Sequence, residues 1–209
     1  MTTQSQIKVE SITFLLLAGI AGLMFAFYVG YKPNKLSLPV MQSFQSPTPA
    51  MTPNPQITSQ LSPDGKKLLT MTVTTNEDLS KSYVFATSDA DGNNQKIIYS
   101  TMNTQYPISI PFNTWSPDDR YVFITETTSQ GSEAIVLKAD GEQITDTESS
   151  INLTKDFTAK ITNSLYDETT GWASETLLLV NTKTPDGKKG LSYWFEVPSK
   201  AIISLSTQF

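Results

Sequence analysis

One stretch constrains this chain more than any other: residues 111–127, PFNTWSPDDRYVFITET, where a Trp-bearing extended segment enters a tight polar turn and leaves as a strand of large apolar residues. Pro presets the backbone angle a turn needs, and Asp bonds its own nearby backbone, so Ser116-Pro117-Asp118-Asp119 predicts a turn with a physical cause. Two weaker copies follow the same plan. Residues 60–74, QLSPDGKKLLTMTVT, repeat the turn as Ser62-Pro63-Asp64-Gly65, and residues 171–181, GWASETLLLVN, keep the Trp and the apolar strand but lose the turn residues. Recurrence at roughly 55 residues marks one supersecondary unit used about three times.

Around these copies the segment 56–209 is dense in Thr, Ser, Val, Ile and aromatics and has no long run of helical period, so strands are expected to dominate. Leu69, Met71 and Val73 alternate with Thr70, Thr72 and Thr74, the pattern of a strand with one wet face. Residues 82–87 and 96–100 predict the next two strands, joined by a hairpin at Asp91-Gly92. In the second unit residues 121–125 are apolar on both pleat faces, as expected of a strand covered on both sides. Residues 133–138 and a return starting at 143–145 flank the hairpin Asp140-Gly141, and the acidic stretch 146–154 reads as a surface loop. The third unit predicts strands at 157–161, at 176–181 with both faces apolar, at 191–197 and at 201–206.

Trp115-Ser116-Pro117-Asp118-Asp119-Arg120-Tyr121-Val122-Phe123-Ile124 resembles the W-S-P-D-G-x-x-[IL]-x-[FV] signature of TolB-type, WD40-like propeller repeats, and residues 61–73 resemble it with Leu in place of Trp. Asp89-Ala90-Asp91-Gly92 and Lys138-Ala139-Asp140-Gly141 are similar to that family's later x-D-x-D-G hairpin. The resemblance implies an all-β, propeller-like stack of about three antiparallel four-stranded sheets. In such repeats the motif turns from the innermost strand into the second. Propellers generally close with four to eight blades. Three recognisable units therefore leave a degenerate fourth at 146–166, chains that complete one another, or an open, incomplete stack. The last is the expectation, because the threonines of the first unit suit an end sheet with a wet outer side.

Before this segment, residues 12–31 read ITFLLLAGIAGLMFAFYVGY without a charge. As a helix rising about 1.5 Å per residue this run matches a bilayer core about 30 Å thick. Tyr28, Tyr31, Lys32 and Lys35 suit the interface, and no small-residue cleavage site ends the run, so a retained transmembrane helix is expected over a cleaved signal. Glu10 ahead of it lacks the Gly-Phe processing site of a prepilin leader. Residues 1–11 form a cytoplasmic tail in this reading. Residues 32–55, with Pro33, Pro39, Pro47, Pro49, Pro53 and Pro55 among polar residues, form a semi-rigid stalk. Lysines flank both ends of the apolar run nearly equally, so the extracytoplasmic placement of 56–209 follows from export of a β domain behind an anchor near the start.

Chemistry is thin. The chain has no His and no Cys, which removes the commonest acid-base group near neutrality, thiolate chemistry and most zinc sites. A net charge of −5 with Arg120 as the sole Arg lacks a nucleic-acid footprint, so no nucleic-acid partner is expected. Asp89, Asp91, Asn93 and Asn94 group oxygen donors as calcium loops do, but Gly92 arrives too early and no Glu follows at the needed offset, so a hairpin is expected. Asp118 and Asp119 are adjacent in a turn and point apart. Glu126, Glu133, Asp167, Glu168 and Glu175 could contain a carboxylate pair of the glycosidase kind, or form a solvated acidic surface. No Ser nucleophile has a base or a G-x-S-x-G elbow. Trp115, Trp172, Trp194 and Tyr193 could stack on sugar or pack between sheets, and packing is expected because the two motif tryptophans recur with the fold.

The expectation is a membrane-anchored, extracytoplasmic interaction domain that binds a protein or an envelope polymer, with no cofactor, no metal and no catalytic residues. A glycan- or peptide-processing enzyme, or its accessory domain, and an oligomer-forming envelope protein are the alternatives.

Overall fold

The computed structural model describes residues 54–103 and 105–207. The expected anchor at 12–31 and nearly all of the stalk lie outside the described residues. Among the described residues no helix is long and apolar enough to cross a membrane.

Among the described residues, twelve strands form three antiparallel four-stranded sheets, each a meander in chain order. The first holds β1 (Gln56–Leu61), β2 (Lys67–Thr75), β3 (Lys81–Asp89) and β4 (Lys96–Asn103). The second holds β5 (Ile108–Ser109), β6 (Tyr121–Thr128), β7 (Gly131–Lys138) and β8 (Ser150–Asn152), after which comes the helix α1 (Leu153–Lys160). The third holds β9 (Leu165–Trp172), β10 (Leu177–Lys183), β11 (Tyr193–Glu196) and β12 (Ile202–Ser204). None of the sheets closes into a barrel.

The pleat of β6 explains the layering. Its residues Tyr121 to Ile124 are all buried, and successive side chains leave a strand on opposite faces. Val122 and Ile124 join Leu69, Met71, Tyr83 and Phe85 of the first sheet in one core. Tyr121 and Phe123 join Leu178, Val180 and Phe195 of the third sheet in another. The second sheet is thus sandwiched, and burial of a Val-to-Phe side chain contributes about 1.5–3 kcal/mol each.

The end sheets each bury one face. On β10 Leu178, Val180 and Thr182 are buried while Leu177 and Leu179, on its second apolar face, are half-buried. No third layer packs on its far side among the described residues, and apolar character alone does not reveal that.

Several expectations are corrected. Residues 157–161 are not a strand: Asn152 caps a helix by accepting from the backbone N–H of Lys155 at 2.9 Å, and Leu153 and Phe157, one turn apart, are buried on one face. The first strand of the third sheet is β9, whose acidic Asp167 and Glu168 disguise it and whose pairing with β10 is broken by two register shifts. The return of the second sheet is β8 rather than 143–145, and Ile151 and Leu153 are buried inside what reads as a surface loop. No fourth sheet occupies 146–166.

The Lys200 ammonium meets Glu148 and, at 3.1 Å, Asp156, tying the 146–149 segment and α1 to the β11–β12 turn. The Lys160 ammonium adds a bond to the Lys200 carbonyl at 2.6 Å.

Candidate functional site

The two complete motif turns are built alike. Ser62 donates to Asp64 at 2.8 Å and accepts from the backbone of Lys67 at 3.1 Å, while Asp64 also accepts from the Lys66 N–H at 2.9 Å. Ser116 donates to Asp118 at 2.7 Å and accepts from the backbone of Tyr121 at 2.9 Å, with the Arg120 N–H on Asp118 at 3.3 Å. Gly65 and Asp119 hold the same place in the two turns, both left-handed, with φ of 73° and 58°. Asp is among the few side chains that tolerate this region, so the exchange with Gly is sterically permitted. The third sheet makes a shorter turn, closed by the Ala173 N–H on the Leu177 carbonyl at 2.8 Å.

The segments entering the turns end in Leu61 of β1, in Trp115, which forms an isolated bridge with Val122, and in Trp172 of β9, and these ends come together. The Trp115 indole N–H donates to the Gln60 carbonyl at 3.2 Å, and the Trp172 indole N–H donates to the Thr114 carbonyl at 3.0 Å. Each Trp therefore bonds the residue just before the matching position of the preceding sheet. Trp172 also stacks on Tyr121 with ring centres 6.0 Å apart, and Trp115 is buried against the first sheet.

Between the ends lies an open cleft of about 680 Å³, lined chiefly by Leu61, Pro63, Phe112, Trp115, Pro117 and Trp172. Its volume falls in the range of ligand sites. Gln60, Asn113 and Thr170 supply its polar atoms, and none of its lining residues is charged. The Asn113 amide is held on the Thr170 carbonyl at 3.2 Å, and the Gln60 amide bonds the Phe112 carbonyl. The Phe112 ring is 88% exposed at the mouth. Such a surface binds through apolar and aromatic contact, and its lining offers no side chain for proton transfer near neutral pH.

One ionisable pair sits beside this region. Asp119 is buried, and as a carboxylate its Oδ1 has no hydrogen-bond donor. Burial and the neighbouring Asp64 carboxylate push its pKa up to about 6, while the Lys66 ammonium and backbone N–H hold Asp64 well below the usual range. Protonation of Asp119 turns its carboxyl into a donor toward Asp64, the cheaper arrangement for two neighbouring carboxyls. Lys67 completes the cross-sheet tie by donating to the Asp119 carbonyl at 2.9 Å.

The remaining residues singled out in the sequence are scattered. Asp89, Asp91, Asn93 and Asn94 form a hairpin in which Asn93 and Asn94 donate to Asp91 and Asp89 at 2.7 and 2.6 Å. Among the described residues, no three His, Cys, Asp or Glu side chains converge as a metal site requires. Pairing of β6 with β7 sets Glu126 opposite Glu133, and Glu133 accepts from Asn152 at 2.9 Å. Asp167 pairs with Lys183 at 3.4 Å, and Glu168 and Glu175 are exposed. Tyr193 is buried against Phe157, and Trp194 lies on the outer face of the third sheet opposite Leu179 and is not among the cleft's lining residues. Sequence reasoning missed Phe112 and the Asp64–Asp119 pair. An Asp where the motif has Gly was the visible trace of the latter.

No family model matches the sequence, and no characterised protein matches it at the sequence level. Among solved structures, the isopeptidase AtxE2, as a variant with the peptide Astexin3-dC4 bound, is similar at 7% identity with a TM-score of 0.49, over 73% of this chain and 30% of that one. The chain thus spans less than a third of that isopeptidase, and a likeness of this order carries no inference about activity.

Proposed function

We propose that this chain is a membrane-anchored, extracytoplasmic binding domain made of TolB-type, WD40-like propeller repeats, its three sheets forming an incomplete ring that binds a protein or an envelope polymer at the cleft. The observation that carries the reading is that one cleft is lined by the same segment of all three repeats, the residues around Leu61, Trp115 and Trp172, with the Phe112 ring exposed at its mouth. The Trp-to-carbonyl bond, repeated between successive sheets, supports the repeat assignment. The apolar run at 12–31 and the Pro-rich 32–55 support the anchor and stalk. The role assigned is binding rather than catalysis, since the cleft lining carries no titratable side chain.

The test is recovery of a bound partner from membranes by the full chain and by Phe112→Glu. The wild type is expected to retain a reproducible partner and Phe112→Glu to lose it while keeping the same unfolding midpoint. Equal recovery by both would remove the cleft from the reading. Labelling of the 1–11 segment only from outside the cell would overturn the orientation.

A further inference from the structure

The first sheet has an outer face that the cores do not use. Residues packed toward the second sheet are Leu69 and Met71 on β2 and Tyr83 and Phe85 on β3, so the alternate residues point away. Register places them in four rows: Ile57, Thr72, Val84 and Ser100; Ser59, Thr70, Ala86 and Ile97; Leu61, Leu68 and Ser88; Thr74, Ser82 and Met102. No residue in these rows is charged, on a chain of net charge −5. Ile57, Leu61, Ile97 and Met102 are 66%, 51%, 63% and 65% exposed. A solvated sheet face ordinarily carries charges, and a broad uncharged patch with exposed large apolar residues marks an interaction surface.

We propose that this face is a self-association surface, on which the first sheet of a second copy packs face to face about a two-fold axis. Charge selects the occupant. On a net acidic chain, this face meets a second copy of itself without placing like charges together. The outer face of the third sheet is not equivalent, because Glu168, Lys183 and Glu196 stand on it among Leu177, Leu179 and Trp194. Continuation of the stack onto that sheet is also disfavoured by Leu61, which replaces the Trp that links successive sheets. Size fits as well. Strands of six to nine residues in a four-stranded sheet span about 27 by 19 Å, roughly 500 Å² in projection. The accessible area of so studded a face approaches the roughly 800 Å² per partner of a standard interface. Sheets packed this way lie about 10 Å apart with strands within about 30° of each other, and the shared two-fold makes the interface closed.

The absence of Cys makes the test clean. The full chain in mild detergent would carry Thr72→Cys on this face, Asn181→Cys on the outer face of the third sheet, or Thr158→Cys on the exposed side of α1, each treated with a short bis-maleimide. Thr72→Cys is expected to give a cross-linked dimer and the other two to stay monomeric. Adding Ile97→Lys and Met102→Lys, both at exposed positions that leave the fold intact, is expected to lower the dimer yield of Thr72→Cys by about tenfold. The proposal is overturned if Thr72→Cys links no better than Thr158→Cys, if it links only when mixed with Asn181→Cys, or if the two lysines leave its yield unchanged. None of these results bears on the cleft, whose test is separate.

Discussion

The indole N–H of Trp172 donates to the carbonyl of Thr114 at 3.0 Å, across the boundary between the third and second sheets. Trp115 and Gln60 reproduce this bond one sheet earlier at 3.2 Å. The recurring Trp therefore does two jobs at once, filling the space between sheets with its ring and fixing their register with its single donor.

Separating the two jobs gives the first prediction. Trp172→Phe keeps an aromatic ring and deletes the donor, so it is expected to cost about 1 kcal/mol in urea unfolding. Trp115→Ala empties a buried site and is expected to cost about 3–5 kcal/mol. A Trp172→Phe protein as stable as the wild type would show that the bond adds nothing to ring packing.

The Asp64–Asp119 pair predicts a stability profile with a sign. Asp119 in the fold titrates near 6, above an ordinary Asp, so between about pH 4 and 6 the folded chain holds the extra proton and stability falls as pH rises through that window. Asp64 is shifted the other way, so its contribution is lost as pH falls below the ordinary Asp range. Together they place the pair's optimum near the ordinary Asp value of about 4, where the two windows meet. Asp119→Asn keeps a donor toward Asp64, tolerates the left-handed backbone and does not titrate. It is expected to flatten the profile between pH 4 and 7 and to raise stability at pH 7 by on the order of 1 kcal/mol. An unchanged slope would refute the pairing.

Gly171 has φ of 148°, and a Cβ built on it would stand 2.8 Å from the Cβ of Asn113. Gly171→Ala is thus expected to displace Asn113, break its bond to the Thr170 carbonyl and cost about 2–3 kcal/mol. Chemical denaturation measures the cost, and a neutral result would mean that the cleft wall yields.

Asn152 both caps α1 and donates to Glu133 at 2.9 Å. Asn152→Ala is expected to cost about 1 kcal/mol, while Asn152→Asp, which keeps the cap but sets a carboxylate against Glu133, should recover only part of it. Full recovery by Asp would show that the bond to Glu133 is idle.

Phe112→Glu changes an exposed side chain and is expected to leave stability within about 0.5 kcal/mol. This keeps any loss of binding attributable to the cleft.

What could be read in the sequence was whatever is fixed by neighbours along the chain. The Ser-Pro-Asp turns, the alternation in β2 and the doubly apolar β6 follow from local chemistry, and the two apolar faces of β6 mark the sandwiched sheet. The helix at Leu153–Lys160 could not be read, because two turns carry only one buried i, i+4 pair, Leu153 and Phe157, too few to show a period. β9 was hidden because an edge strand with a solvated face accepts Asp167 and Glu168, which on composition alone resemble a loop. The cleft and the carboxyl pair join residues from different repeats, and no local pattern records which faces meet. The motif did fix the positions of Trp115 and Trp172, and with them one rim of the cleft.

Since the indoles of Trp115 and Trp172 both reach backward to the sheet before them, the array has a head and a tail. Leu61 sits at the head with no N–H to offer, whereas the tail presents the Gly171 backbone where Gln60 and Thr114 stand in the earlier sheets. A repeat grafted after the last strand with its own Trp would find its docking point already in place; the same repeat grafted ahead of Gln56 would be joined through Leu61 by apolar contact alone. Lengthening by duplication is therefore a one-ended process in this protein.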